Sequence, residues 1–208
     1  LTTPHATTAR RFATKPASRC LACHGTGDAP AGTAIAVEVG CEACHGPMAD
    51  HNAWQALHPN KSPDPTVRKI SRQEMFSVCA QCHSRRAELT GSFRPPENFF
   101  DHHHQTIPDE TELFYPDGQI RDEDYEVTAF LGSKMHAAGV RCADCHQPHT
   151  AKTILPGDAL CMRCHGTNAA QPGLTKPAPV IDPIAHSHHG IESAGARCAG
   201  CHMPITTY

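Results

Sequence analysis

The sequence predicts a mostly irregular chain with short α-helices and little or no β-sheet. Only 39% of its 208 residues are hydrophobic and 5% are aromatic, which is little material for the core of a chain of this length. It also contains 15 Gly and 18 Pro, residues that favour turns and interrupt regular structure. All 12 cysteines fall into one short motif that occurs six times. The stability that a large apolar core would normally provide must therefore come from elsewhere.

The repeated motif is Cys-x-x-Cys-His, which is typical of the covalent attachment of c-type heme. Two thiols add across the two heme vinyl groups, and the following His supplies the proximal ligand of the iron. Six copies predict six hemes c, which replace the missing core and around which the chain wraps. The cysteine pairs are Cys20 and Cys23, Cys41 and Cys44, Cys79 and Cys82, Cys142 and Cys145, Cys161 and Cys164, and Cys198 and Cys201. The proximal histidines are His24, His45, His83, His146, His165 and His202.

Three other interpretations of the cysteines fit less well. A disulfide framework also uses an even number of cysteines, but it gives no reason for a His after every pair. Zinc sites could pair two motifs, yet they do not need six histidines in register. Thioredoxin-like redox pairs occur singly near a βαβ pattern, and the sequence shows none.

Charge and hydropathy limit the partners and the compartment. The formal charge is −3, and two propionates on each of six hemes would bring it to −15. The chain has no basic run or aromatic array that would indicate nucleic-acid binding, and no apolar run long enough for a membrane span. Because heme c is attached outside the cytoplasmic membrane, we expect an exported protein, periplasmic or extracellular. The first residue is Leu1 rather than Met, so we expect a mature or trimmed form.

The spacing of the motifs leaves two views of the domain organisation open. The first cysteines are separated by 21, 38, 63, 19 and 37 residues, so the first two intervals nearly repeat as the last two. One view is two triheme halves, residues 1–90 and 140–208, joined by a heme-free segment, 91–139. The other is a single hexaheme unit over residues 1–208, which this chain length favours.

Several local patterns predict secondary structure. Ser71 to Glu74 form a capping-box pattern that leads a helix into the third motif. Asp158 can start a short helix into the fifth motif, and 50–58 is a helical pattern ended by a proline. Asp122 can cap a helix that continues to about His136. Tyr115-Pro116-Asp117-Gly118 predicts a turn.

The second axial ligands must come from outside the motifs. Of the 17 histidines, 11 remain after the proximal ones. Methionine is the competing ligand and raises the potential, but Met48, Met162 and Met203 lie too near motifs to choose freely. The supply of histidine therefore predicts two His ligands at each iron. The 11 are His5, His51, His58, His102, His103, His104, His136, His149, His186, His188 and His189.

Some of these histidines are better placed than others. His51 and His58 are seven residues apart, about 10 Å along a helix, and could serve two neighbouring hemes. His149 follows His146 so closely that it would reach an adjacent heme rather than its own. We also select His136, just before the fourth motif, and from the three histidines at 186, 188 and 189 we take His189. One of the three at 102–104 is a further candidate.

Six segments carry a resemblance to a known family: Val39–Pro47 with His51, Cys82–Arg86, Tyr115–Glu123, Ser133–Val140, Asp144–Thr150 and Cys201–Pro204. In these segments the sequence resembles multiheme cytochromes that are often fused to tetratricopeptide repeats, relatives of the tetraheme electron carrier of ammonia oxidisers. The resemblance covers about residues 37–208. It implies that His51 and His149 are distal ligands, and it points to the His-rich stretch before the last motif.

These observations predict electron transfer without catalysis. An iron with two His ligands is coordinatively saturated, so it exchanges electrons but binds no substrate. The alternative is a multiheme reductase with one open iron, but no motif carries Lys in place of His. We expect redox proteins or copies of the chain as partners. His5 lies in a short N-terminal arm that could reach a heme of a neighbouring copy, which would build a filament.

Overall fold

The computed structural model describes residues 23–24, 39–121, 126–169 and 173–204. Short helices and long irregular segments dominate these ranges, and the longest described helix has nine residues. None of the described helices is long and apolar enough to cross a membrane. The helices are α1 Glu42–His45, α2 Ala49–Leu57, α3 Met75–His83, α4 Phe99–His102, α5 Val127–Leu131, α6 Lys134–Ala137, α7 Asp158–His165, α8 Pro183–Ser187 and α9 Cys198–His202, with 3₁₀ helices at Cys142–Asp144 and Ala194–Ala196.

Strands are few in the described ranges. Strand β1 (Arg86–Glu88) pairs antiparallel with β2 (His103–Gln105), and β3 (His146–Gln147) pairs antiparallel with β4 (Lys152–Thr153). Each sheet has two strands of two or three residues. The predicted fold class, mostly coil with short helices and little sheet, is therefore confirmed.

The chain divides into two compact units, Leu1–Thr106 and Ile107–Tyr208. The first three motifs fall in the first unit and the last three in the second. The boundary lies inside segment 91–139, which was predicted to be free of heme. The single hexaheme unit and the two triheme halves stay predictions.

A small aromatic core stabilises the first unit. Phe99 is its one large, fully buried side chain among the described residues. Its ring meets Phe76 edge-on at 6.0 Å and Phe100 at 5.2 Å, and it stacks on His103 at 4.8 Å. The Ser77 hydroxyl accepts a hydrogen bond from the Phe99 amide at 3.0 Å, which joins α3 to α4. This core packs α4 and β2 against one face of α3.

The second unit has a small apolar core of its own. Phe114 and Ile120 are buried and bridge each other across the predicted turn at 115–118. The Gly118 amide donates to the Tyr115 carbonyl at 2.9 Å, and Gly118 has a φ of 84°, which confirms this turn. Other large apolar side chains of this unit are exposed, among them Val180, Ile184 and Ile191. Such exposure is the pattern expected of a polypeptide whose apolar side chains pack on a prosthetic group rather than on one another.

The capping-box prediction is confirmed. The Glu74 carboxylate accepts from the Ser71 amide at 2.8 Å, and the Ser71 hydroxyl accepts from the Glu74 amide at 3.2 Å. Helix α3 follows and ends at His83, the last residue of the third motif. The helices predicted at 50–58 and from Asp158 are also present, as α2 and α7.

The continuous helix predicted from Asp122 to about His136 is wrong. Asp122 itself lies outside the described residues, and the helix is broken between α5 and α6. Ser133 adopts an extended conformation with a ψ of 152°, and its hydroxyl accepts from the His136 amide at 3.1 Å. A serine side chain at this position caps a new helix instead of continuing the old one.

Candidate heme-binding site

Helical backbone gives the motifs the geometry that heme attachment needs. Residues three and four positions apart share one face of a helix, so the two cysteines and the His of a motif point the same way. His45, His83, His165 and His202 are the last residues of α1, α3, α7 and α9. The fourth motif differs, because it starts in a 3₁₀ turn and its His146 opens β3.

The thiols needed for thioether bonds are not consumed by disulfides. None of the 11 cysteines in the described ranges is in a disulfide, and Cys20 lies outside these ranges. Within the same ranges, no group of three or more His, Cys, Asp or Glu is arranged to hold a metal ion. Two thiols and an adjacent imidazole in each motif are the groups that the attachment of heme c uses.

The described thiols with shifted pKa values shift upward. Burial raises the pKa values of Cys44, Cys145 and Cys198. The pKa of Cys82 is raised further, by a contact with the Cys23 thiol and by burial. Nucleophilic and redox-active cysteines have lowered pKa values, so these thiols lack the character of a thioredoxin-like pair.

In two of the motif histidines, Nδ1 is held by a backbone carbonyl. Nδ1 of His45 lies 2.7 Å from the Arg68 carbonyl oxygen, and Nδ1 of His165 lies 2.9 Å from the Pro179 carbonyl oxygen. Because a carbonyl oxygen can only accept, Nδ1–H is the donor in each case, and Nε2 is the nitrogen left to face a metal.

In the first unit the third motif touches both other motifs. The side-chain amide of Gln81 donates to the Ala43 carbonyl of the second motif at 2.8 Å. Towards the first motif, Cys23 Sγ lies 3.9 Å from the Gln81 carbonyl, and Cys82 Sγ lies 3.8 Å from the Cys23 carbonyl. Groups attached to these three motifs must therefore lie close together.

In the second unit helix α7, which carries the fifth motif, takes the same central place. The Arg163 guanidinium donates to the Asp144 carbonyl of the fourth motif at 2.8 Å. At the other end of α7 the Asp158 carboxylate accepts from the Cys198 amide at 3.0 Å and lies 3.5 Å from the Arg197 guanidinium. The fifth motif is thus linked to the fourth and the sixth.

His51, on α2, has a carboxylate partner. Its Nδ1 lies 2.7 Å from Oδ2 of Asp64, and Gln55 donates to the same oxygen at 3.1 Å. Partial desolvation raises the pKa of Asp64, but hydrogen bonds from Thr66, Gln55 and His51 outweigh it and hold that pKa well below its usual range. The carboxylate is therefore ionised at neutral pH, and Nδ1 of His51 is the protonated nitrogen.

His58 and the run at 102–104 have different surroundings. His58 stacks on Trp54 at 4.6 Å, and its Nδ1 lies 3.0 Å from the Trp54 carbonyl.

In the run at 102–104, His102 has contacts at both ring nitrogens, 2.7 Å from the Thr90 hydroxyl and 3.2 Å from the Glu97 carboxylate. His103 is buried, and burial lowers its pKa. His104 is exposed.

The candidates of the second unit lie near its motifs. His136 is on α6 with its ring edge against Phe130 at 5.2 Å. His149 is exposed in the turn between β3 and β4, where its amide donates to the Gln147 side chain at 2.7 Å. The His189 ring lies against Gly195, where an added Cβ would stand only 2.7 Å from it. The remaining candidate, His5, lies outside the described residues.

The His186 ring lies near that of His202, the histidine of the sixth motif. The His186 and His202 rings are nearly parallel, at 16°, with centroids 5.9 Å apart. Helix α8 fixes His186, since the Asp182 carboxylate accepts from the Ile184 and Ala185 amides at 2.9 and 3.0 Å. Sequence reasoning selected His189 from the three histidines at 186, 188 and 189 and left His186 open, whereas His186 makes the ring contact with His202.

Comparison with known proteins identifies the class. The family described as cytochrome c554 and c-prime matches residues 3–46, which include the first two motifs. The multiheme cytochrome MtrA of Shewanella baltica (strain OS185) is 26% identical over 171 residues. The chain is a multiheme c-type cytochrome. No solved structure matches it.

The match to MtrA covers most of this chain but only part of the relative. It covers 79% of this cytochrome but 35% of the relative, so the chain spans about a third of that protein's length. Both comparisons concern cytochromes, which supports heme c as the cofactor and suggests electron transfer as the function.

Two features of this cytochrome were missed by sequence reasoning. Asp64 carries no local signal, because it follows His51 by 13 residues and meets it only through folding. For His186 a signal did exist. Asp182 followed by Pro183 is a helix-start pattern, and it places His186 one turn into a short helix.

Proposed function

We propose that this cytochrome carries six hemes c, one at each motif, and transfers electrons between them. When bound, heme c supplies one-electron chemistry at its iron. The observation that carries the proposal is the direct contact between motifs within each unit, at 2.8 Å from Gln81 to Ala43 and from Arg163 to Asp144. The protein residues thereby hold neighbouring attachment sites together and fix their separation.

We further propose two His ligands for each iron. Two metal–imidazole bonds of about 2 Å place the centroids of opposite rings on the order of 6 Å apart. The 5.9 Å between His186 and His202 supports their assignment as one such pair. The other five distal ligands are proposed to come from six candidates: His51 and His149, which the family resemblance favours, and His58, His136, His189 and His5.

A non-catalytic role follows from this ligation. An iron bound by two imidazoles has no position for substrate, whereas a reductase needs one open iron. The 11 histidines outside the motifs exceed the six that full ligation requires. Electron transfer is therefore preferred over the multiheme reductase.

The proposed location and partners follow from heme chemistry and charge. Attachment of heme c outside the cytoplasmic membrane implies export to the periplasm or the cell exterior. The acidic holoprotein would meet redox-partner proteins or copies of itself, and no feature favours nucleic acid. Assembly into a filament through the arm that carries His5 is supported by sequence reasoning alone.

Two measurements on the purified holoprotein test the proposal. Mass spectrometry should show the mass of the chain plus six hemes. Electron paramagnetic resonance of the oxidised protein should show low-spin ferric iron, and carbon monoxide should bind few reduced hemes. A lower heme number would overturn the stoichiometry. A spectrum dominated by high-spin iron would overturn the ligation and favour the reductase.

A further inference from the structure

The contact between His51 and Asp64 differs from the Nδ1 contacts of the two motif histidines His45 and His165. Nδ1 of His51 lies 2.7 Å from a carboxylate oxygen, whereas the Nδ1 atoms of His45 and His165 face neutral backbone carbonyls. We propose that Asp64 is a positioning residue that holds His51 for iron binding and lowers the reduction potential of the heme that His51 ligates. This inference rests on the proposed function, because it takes His51 as a distal ligand.

The carboxylate is held firmly enough to orient the imidazole. Its side chain is only 8% exposed. The Thr66 amide and hydroxyl donate to Oδ1 at 2.8 and 2.6 Å, and the Gln55 amide donates to Oδ2 at 3.1 Å. These bonds fix both oxygens, so the hydrogen bond from His51 fixes the plane of the ring. Nε2, on the far side of the ring, is then the nitrogen presented to a metal.

The charge of Asp64 gives the electronic effect. A carboxylate that accepts the Nδ1 proton makes the opposite nitrogen more basic than a neutral carbonyl does. A more basic axial ligand stabilises ferric over ferrous iron, because the oxidised metal carries the larger positive charge. The heme bound by His51 should therefore be more reducing than it would be with a neutral partner.

Two substitutions should move this potential in opposite directions. Asp64→Asn keeps the size and an acceptor oxygen but removes the charge, so the potential of one heme should rise. Gln55→Leu removes a competing donor from Oδ2, so that oxygen binds the His51 proton more strongly and the potential of the same heme should fall. Asp64→Glu restores the charge and should bring the potential back towards the wild-type value.

Thr66→Val is the structural control. It removes a hydrogen bond from the same carboxylate but leaves the atom that faces His51 in place. A purely structural role for Asp64 predicts that Thr66→Val, Gln55→Leu and Asp64→Asn shift the potential in the same direction. The proposed role predicts opposite signs for the last two and a smaller effect of Thr66→Val than of Asp64→Asn.

The experiment is a spectroelectrochemical titration of each holoprotein, with electron paramagnetic resonance of His51→Ala. Opposite shifts in Asp64→Asn and Gln55→Leu, with one high-spin heme in His51→Ala, support the inference. If His51→Ala opens one heme but neither variant moves a potential, the role of Asp64 is wrong while the ligand assignment stands. If His51→Ala leaves every heme low-spin, His51 is not a ligand and both the assignment and this inference fail. Should Asp64→Asn fail to assemble, the direction of the Gln55→Leu shift still decides.

Discussion

The side-chain amide of Gln81 donates to the carbonyl oxygen of Ala43 at 2.8 Å, and each residue immediately precedes the second cysteine of its motif. Arg163 and Asp144 repeat this relationship in the second unit, also at 2.8 Å. The partners are 38 residues apart in one case and 19 in the other. The same docking of one motif on the preceding motif thus arises from different side chains and different intervening lengths.

Loss of this contact should weaken the first unit. In Gln81→Ala the Ala43 carbonyl loses its side-chain donor, and so does the Val78 carbonyl at 3.0 Å. We expect the free energy of unfolding to fall by about 1 kcal/mol per lost hydrogen bond, with the heme content unchanged. Chemical denaturation followed by heme absorbance measures the change. Gln73 is an exposed glutamine just before α3. Gln73→Ala is therefore the matched control and should leave the free energy of unfolding almost unaltered. Equal stability of the two variants would show that the contact contributes nothing.

The capping box at Ser71 should contribute a similar free energy to the stability of the first unit. Ser71→Ala removes the oxygen that accepts from the Glu74 amide at the start of α3. Such substitutions cost about 1 kcal/mol of stability. Thermal unfolding followed by circular dichroism should show a lower midpoint than the wild type. Ser92→Ala, at an exposed loop serine, serves for comparison. An unchanged midpoint in Ser71→Ala would mean that α3 is held by its packing alone.

The lowered pKa of Glu74, the other residue of this capping box, predicts that the stability of the fold depends on pH. Hydrogen bonds from the Ser71 amide and hydroxyl, and then from Arg68, lower the pKa of Glu74 from 4.5 to about 2. Because the folded-state pKa is depressed, the ionised carboxylate stabilises the fold above pH 4.5, and this contribution is lost as the pH falls towards 2. The stability difference between wild type and Glu74→Gln should therefore shrink over this range in denaturation curves measured at successive pH values. A difference that stays constant with pH would contradict the linkage.

Local signals were the ones that sequence reasoning interpreted correctly. The helix start at Ser71 and the turn at 115–118 each depend on residues within four positions of one another, so their partners are visible in the sequence. The prediction of one continuous helix from Asp122 was wrong because Ser133 can either continue a helix or cap a new one. Inside a helix its hydroxyl is neutral, but at a cap it satisfies a backbone amide, and the preceding Gly132 favours the break.

Contacts between distant residues could not be predicted. Six motifs predict six attachment points, but nothing in their spacing tells which motifs meet. The central positions of Gln81 and Arg163 follow from the path of the intervening chain. The same holds for the choice among distal histidines. Residues 186, 188 and 189 are equivalent by composition, and only the course of α8 turns His186 towards His202.

His149 should be the distal ligand of one heme in the second unit. The cysteines hold the heme covalently, so His149→Ala should open one iron without releasing its heme. We expect one high-spin ferric signal, while mass spectrometry still counts the same number of hemes as in the wild type. Thr150→Ala, in the same exposed turn, is the control and should remain low-spin. If His149→Ala also remains low-spin, another residue binds that iron.

His186 provides the sharpest test of the proposed ligation. Its ring is nearly parallel to that of His202 and 5.9 Å from it, so His186→Ala should open the heme of the sixth motif. One heme should become high-spin and bind carbon monoxide when reduced, with no loss of total heme. The matched control is His188→Asn, because His188 ends α8 in the left-handed conformation, with a φ of 60°, and asparagine tolerates that conformation.

The two variants together separate ligation from local structure. Both substitutions fall at the end of α8, so general damage to this helix would affect the iron in each of them. An open heme in His186→Ala alone assigns the ligand, because only that substitution removes the ring facing His202. An open heme in both variants would mean that the course of α8, rather than the His186 nitrogen, determines the spin state. If neither variant opens a heme, the parallel rings are a surface contact without an iron between them, and the sixth heme takes its distal ligand from another histidine.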